Sequence, residues 1–107
     1  MENDSGSAGP QDEALAAVLL SVWQQVMVDN KSEVLLNEHV YCVSKTRSKR
    51  LRQVHFYVGG RELLGVEQNP RTTSRWAQMA RHGARIMQFM EGDRYLANVA
   101  DGKVFFY

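Results

Sequence analysis

The chain has one cysteine, Cys42, among 107 residues. No disulfide can form within it, which excludes the stapled scaffold of small secreted domains. It also lacks a long apolar run. The most apolar stretch, residues 14–28, is broken by Ser21, Gln24 and Gln25 and is too short and too polar to span a bilayer. The first residues are acidic and rich in Gly and Ser, where a secretory leader needs a basic start and then an apolar run, and no Arg-rich transit pattern occurs. Net charge is nearly absent too, with 13 Lys and Arg against 12 Asp and Glu. A cytoplasmic protein without a membrane partner is the expectation, and overall charge selects no partner class. No internal repeat of fixed period is present.

Catalytic and metal signatures are missing as well. His39, Cys42, His55 and His82 do not have the paired spacing of a zinc site, and His39 and Cys42 on one strand would face opposite sides. Cys42 is expected to be a small buried apolar residue. One Cys and three His without a nucleophile context give no Cys-His pair, and Glu62 and Glu67, at odd separation on one strand, do not form a carboxylate pair. Gly59-Gly60 precedes a strand and so reads as a turn, not as a phosphate cradle. The expectation leans away from an enzyme and includes no cofactor.

What is present suffices for one core, since 44% of the residues are apolar at a length typical of one domain. Residues 1–9 are expected to be a flexible tail and residues 10–107 a single α+β domain. Pro10, with Asp12 and Glu13 behind it, suits the first turn of a helix. Leu15, Leu19, Val22, Val26 and Met27 then mark its apolar face, and Asp29-Asn30-Lys31-Ser32 ends it. Ala14, Ala16, Ala17, Val18, Leu20 and Trp23 widen that face so far that the helix needs cover on more than one side.

Residues 34–43 mix a short apolar start with a strand-like run, Val40-Tyr41-Cys42-Val43, and residues 53–58 alternate with Val54, Phe56 and Val58 on one face. The Gly59-Gly60 turn returns residues 62–66 antiparallel. Asn69-Pro70 or Ser74 opens a second helix that Gly83 closes, with Trp76, Met79 and Ala80 on its buried face. Residues 85–90, 94–100 and 104–107 follow as strands, with Glu91-Gly92-Asp93 and Asp101-Gly102 as turns. The fold expected is two helices packed on an antiparallel sheet of about six strands, in the order helix, three strands, helix, three strands.

Charge is segregated along this order. Residues 1–13 carry four acids and no base, whereas residues 45–85 carry ten bases and two acids, a local balance of +8. The sharpest cluster is Lys45-Thr46-Arg47-Ser48-Lys49-Arg50-Leu51-Arg52, whose cations could neutralise several phosphates. Arg71, Arg75, Arg81 and Arg85 on or beside the second helix could extend it to a nucleic acid or other anionic partner. A solvated loop whose cations keep a sheet edge from pairing accounts for the same residues.

Self-association is the other binding reading, and the one favoured on sequence. Ala16, Ala17, Leu20 and Trp23 on the first helix could meet the same patch of a second copy in a homodimer. A pocket lined by His55, Tyr57 and Trp76 between helix and sheet is a third site to consider.

Leu64-Gly65-Val66-Glu67-Gln68-Asn69-Pro70, Ser74-Arg75-Trp76-Ala77-Gln78-Met79-Ala80-Arg81, Gln88-Phe89 and the run from Arg94-Tyr95-Leu96-Ala97 to Asp101-Gly102-Lys103 together resemble a block near the C-terminus of small uncharacterised bacterial proteins. The resemblance spans about the second half of the chain. It implies a bacterial origin and carries no activity, ligand or site residue.

Overall fold

The computed structural model of the protein describes residues 10–68 and 85–107. Helix α1 runs over Pro10–Trp23 and continues as a wide π-helical turn over Gln24–Val28. Strands follow at β1 Glu33–Leu36, β2 His39–Cys42, β3 Ser44–Lys45, β4 Arg52–Val58, β5 Arg61–Gln68, β6 Ile86–Glu91, β7 Arg94–Ala100 and β8 Lys103–Phe106. β1 and β2 pair with each other, and β3 to β8 form one antiparallel sheet in which every neighbour is the next described strand in the chain.

The expected architecture is therefore corrected. Among the described residues there are one helix and eight strands in two antiparallel sheets, not two helices on a single sheet, and five strands rather than three follow the helix before residue 69. The excess arises within residues 33–45. The apolar start expected to lead into a strand at residues 40–43 is itself a strand, β1, which pairs with β2 across Asn37-Glu38, both with positive φ (48° and 67°), and Ser44–Lys45 adds a short pairing with β4. Positive φ at both central residues is the conformation of a type I′ hairpin turn, which Gly favours and which Glu adopts at a cost. The expected tail over residues 1–9 and the second helix with Trp76, Met79 and Ala80 lie outside the described residues.

The meander follows from its turns. Gly59-Gly60 (φ 54° and 81°) joins Val58 to Arg61, and Asp101-Gly102 (φ 53° and 72°) joins Ala100 to Lys103. Alternation then divides the sheet into two faces. One face carries Val54, Phe56, Leu63, Met87, Phe89, Ala97 and Val99, all buried, and α1 lays Leu15, Leu19, Val22, Val26 and Met27 on it. The β1–β2 hairpin adds fully buried Val34 and brings Tyr41 edge-on to Phe56, which in turn meets Phe89 edge-on with centroids 5.9 Å apart. Gly65 makes this layer possible. A Cβ there would lie 2.7 Å from the Phe89 ring and 3.0 Å from Met87 Cε, so the bare backbone is what the two side chains cover.

The end of the helix is held by the sheet. The Asp29 N–H donates to the Gln24 carbonyl, Asn30 turns left-handed (φ 55°), and the Lys31 N–H donates to the Gln25 carbonyl. The carbonyls of Val26 and Met27 accept from Arg52 at 2.7 Å and Arg85 at 3.0 Å. Cations at a helix C-terminus satisfy orphan carbonyls and oppose the negative end of the dipole. The side chain of Gln25 spans the outer edge of β1, its Oε1 accepting from the Leu35 N–H at 2.9 Å and its Nε2 donating to the Leu35 carbonyl at 3.1 Å.

Candidate nucleic-acid interface

The basic segment folds as a closed turn between β3 and β4. The Thr46 N–H donates to the Leu51 carbonyl at 2.8 Å and the Leu51 N–H to Thr46 Oγ1 at 2.9 Å, while Arg50 takes a left-handed conformation (φ 53°). The closure turns the tip outward. Lys45, Arg47, Lys49 and Arg50 are exposed, and among the described residues none of the four forms an ion pair.

Arg52 is different, although it belongs to the same basic run. Its Nε donates to Glu67 Oε1 at 3.1 Å, its Nη1 to the Val26 carbonyl and to Asn30 Oδ1, and its Nη2 to Glu67 Oε2. Burial pushes the Glu67 carboxyl up, but the bonds from the Arg52 side chain and backbone N–H, with a smaller contribution from Lys45, hold it below the ordinary carboxylate range. Arg85 is likewise occupied with the Met27 carbonyl. The Arg52 guanidinium thus joins helix to sheet and is not available to an anion, whereas Arg85 remains exposed. Arg71, Arg75 and Arg81 lie outside the described residues.

The proposed self-association residues separate in the same way. Trp23 is 8% exposed and its Nε1 donates to the Arg85 carbonyl at 2.8 Å, so the ring belongs to the chain's own core. Leu20 and Ala16 are half-buried and Ala17 is exposed. The larger apolar exposure is on the hairpin, where the cross-strand pair Leu35 and Val40 are each 58% exposed. Cys42 shares that outward face and is an exposed free thiol, which corrects the expectation of a buried one. Register explains it: Cys42 pairs with Glu33, two positions from Leu35, on the side opposite buried Val34.

Of the expected pocket residues, His55 and Tyr57 lie exposed on the sheet face that α1 does not cover, and Trp76 lies outside the described residues. His55 borders an open cleft of about 480 Å³ with Arg61, Glu62, Leu64 and Glu91, whereas Tyr57 is not part of its wall. Across this cleft Arg61 and Glu91 form a two-pronged pair at 2.9 and 2.7 Å, which raises the guanidinium's pKa and lowers the carboxyl's. Arg61 is thus neutralised, and Glu62 leaves the cleft acidic, unsuited to a phosphate.

Register reveals a row that the linear sequence does not show. His55 pairs with Leu64, Leu64 with Met90 and Met90 with Tyr95, so these four side chains stand side by side on the outer face. Tyr95 stacks on Tyr107, with centroids 5.4 Å apart and planes 25° from parallel. The Tyr107 hydroxyl accepts from Asn98 Nδ2 at 2.8 Å and Gln88 Nε2 at 3.0 Å. Neither tyrosine stood out in the sequence, where each was one strand aromatic among several.

Among the described residues no three of His, Cys, Asp and Glu come together as a metal-binding group, and no helix is long and apolar enough to cross a membrane. No family model matches the chain, and neither a curated protein nor a solved structure matches it.

Proposed function

We propose that the protein is a non-catalytic binding domain whose partner is a nucleic acid, held through the turn between β3 and β4. One observation supports this above the rest: a turn closed by its own hydrogen bonds presents Arg47, Lys49 and Arg50 to solvent without an ion pair among the described residues, and Lys45 is exposed beside them at the end of β3. Cations on a closed turn gain counterion-release free energy on meeting phosphates without the added cost of ordering the backbone. A cytoplasmic setting fits an exposed free thiol. The test is binding to single- and double-stranded oligonucleotides from low to moderate salt. With three to four phosphates neutralised on a single strand, the slope of log K against log salt should be about −2 to −3. Arg47→Ala with Lys49→Ala should shorten that slope by more than one unit while leaving stability within about 0.5 kcal/mol. No binding at low salt would sink the reading.

Homodimerisation is the second reading, and its support lies beside the helix more than on it. Leu35 and Val40 are exposed together, and Gln25 of the helical segment is bonded to Leu35, so helix and hairpin join at this patch. Light scattering of wild type and Val40→Lys decides it. A monomer at high micromolar concentration would exclude this surface as an interface.

A further inference from the structure

We infer that Tyr95 and Tyr107 are a stacking platform for an unpaired nucleobase, so that the nucleic acid recognised is single-stranded. The inference rests on the basic-turn reading and adds to it the part of the partner that is not phosphate.

The first support is how Tyr95 reaches its face. β7 pairs Ala97 with Phe89 and Tyr95 with Met90, so Leu96 is an extra residue in a β-bulge. Strict alternation from buried Ala97 would put Tyr95 on the same side as Ala97, beneath α1. The bulge instead gives Leu96 to the core and turns Tyr95 to the face opposite α1, where it is 55% exposed. Bulges that re-aim a side chain are features of functional sheet surfaces.

The second support is preorganisation. Tyr107 is 62% exposed, yet its ring is fixed by the Tyr95 stack and its hydroxyl by two amide donors, one from Asn98, itself 1% exposed. Two large aromatic rings stacked on each other in the open, one of them anchored through its hydroxyl, offer a flat apolar surface at little further cost in entropy. A base has a π-face to lay on it whatever its identity.

The third support is placement. At the strand spacing of about 4.8 Å, the row from His55 to Tyr95 covers about 14 Å of sheet. His55 lies three residues along β4 from Arg52, where the cationic turn ends. A strand of nucleic acid held by its phosphates at the turn can lay unpaired bases along His55, half-buried Leu64 and Met90, and the tyrosine stack, meeting this row with bases and not phosphates because Glu62 and Glu91 border it. A duplex has its π-faces occupied and gains nothing from this row.

The experiment compares an oligo(dT) 12-mer, an abasic 12-mer of equal charge and a 12-base-pair duplex, each with wild type, Tyr95→Ala, Tyr95→Phe and the Arg47→Ala, Lys49→Ala double variant. Wild type should bind oligo(dT) about 5- to 150-fold more tightly than the abasic strand, the range for stacking one base on one aromatic ring. Tyr95→Ala should remove that preference, leaving abasic affinity and salt slope unchanged. Tyr95→Phe should keep it, which separates the ring's role from any loss of folding. Equal binding of oligo(dT) and abasic strand by wild type, or a Tyr95→Ala protein that keeps the preference, overturns the platform while the basic-turn reading stands. Duplex binding as tight as oligo(dT) binding overturns it as well. Failure of wild type to bind any of the three at low salt removes the basic-turn reading and this inference with it. Retention of the preference with a flattened salt slope in the double variant is the result expected if phosphate and base contacts are separate.

Discussion

Truncating Arg52 should unfold the protein more readily without weakening its grip on an anion. The residue looks like one more cation in a basic run, but its guanidinium meets Glu67, the Val26 carbonyl and Asn30 at distances between 2.7 and 3.3 Å. The Arg52 and Glu67 side chains are 24% and 25% exposed, between a buried pair and a surface one. A hydrogen bond to a charged group contributes about 1.5–3 kcal/mol when buried, and an exposed ion pair about 0–1 kcal/mol. Loss of the carbonyl cap and of the pair together should then cost about 2 kcal/mol, roughly 8–16 °C in Tm for a domain of this size. Arg52→Ala in urea denaturation tests this directly. Arg52→Lys should recover less than half, because an ammonium cannot address Glu67 and the Val26 carbonyl in one plane as the guanidinium does. The reasoning is refuted if Arg52→Ala unfolds within about 0.5 kcal/mol of wild type. It is refuted equally if the folded variant loses salt-dependent binding, since the guanidinium would then be reaching a phosphate.

Three further outcomes follow from geometry on other elements. Gly65→Ala should destabilise by about 1–3 kcal/mol, as its Cβ would enter the space of the Phe89 ring at 2.7 Å; a neutral result in thermal unfolding would mean that the ring can slide aside. Glu38→Gly should stabilise by about 0.5–1 kcal/mol, because glycine accepts φ 67° without strain but surrenders more freedom on folding; a loss of stability in urea would contradict the type I′ turn. Glu67 has a folded pKa below its ordinary 4.5, so its contribution is fully present above that value and is lost as pH falls through the lowered one. Glu67→Gln should accordingly flatten the acid limb of stability below pH 4.5, and an unchanged limb would show that the pairing carries no linkage.

Local signals made some of this molecule legible and distant ones did not. Gly59-Gly60 and Asp101-Gly102 announce their hairpins because glycine is the residue that positive φ selects, and Leu15, Leu19, Val22 and Val26 announce a helix face by spacing alone. Asn37-Glu38 makes the same kind of turn with no glycine, so nothing marks the apolar start as a strand of its own. Arg52 could not be told from Arg47 or Lys49 by neighbours in sequence, because its partners lie 15 to 26 residues away. The outer row was hidden for a further reason. A one-residue bulge reverses which face a side chain takes, and nothing in Arg94-Tyr95-Leu96-Ala97 marks where the extra residue falls.

The amide of Gln25 has a role beyond holding helix to hairpin. By offering one acceptor and one donor to Leu35, it occupies the backbone positions through which another chain would add a strand to β1. A single side chain thus closes an edge that whole strands close elsewhere, and it does so beside the exposed pair Leu35 and Val40. Hydrolysis of that amide to a carboxylate would keep the bond from the Leu35 N–H but set the Leu35 carbonyl against another acceptor, opening half of that edge beside its most apolar point.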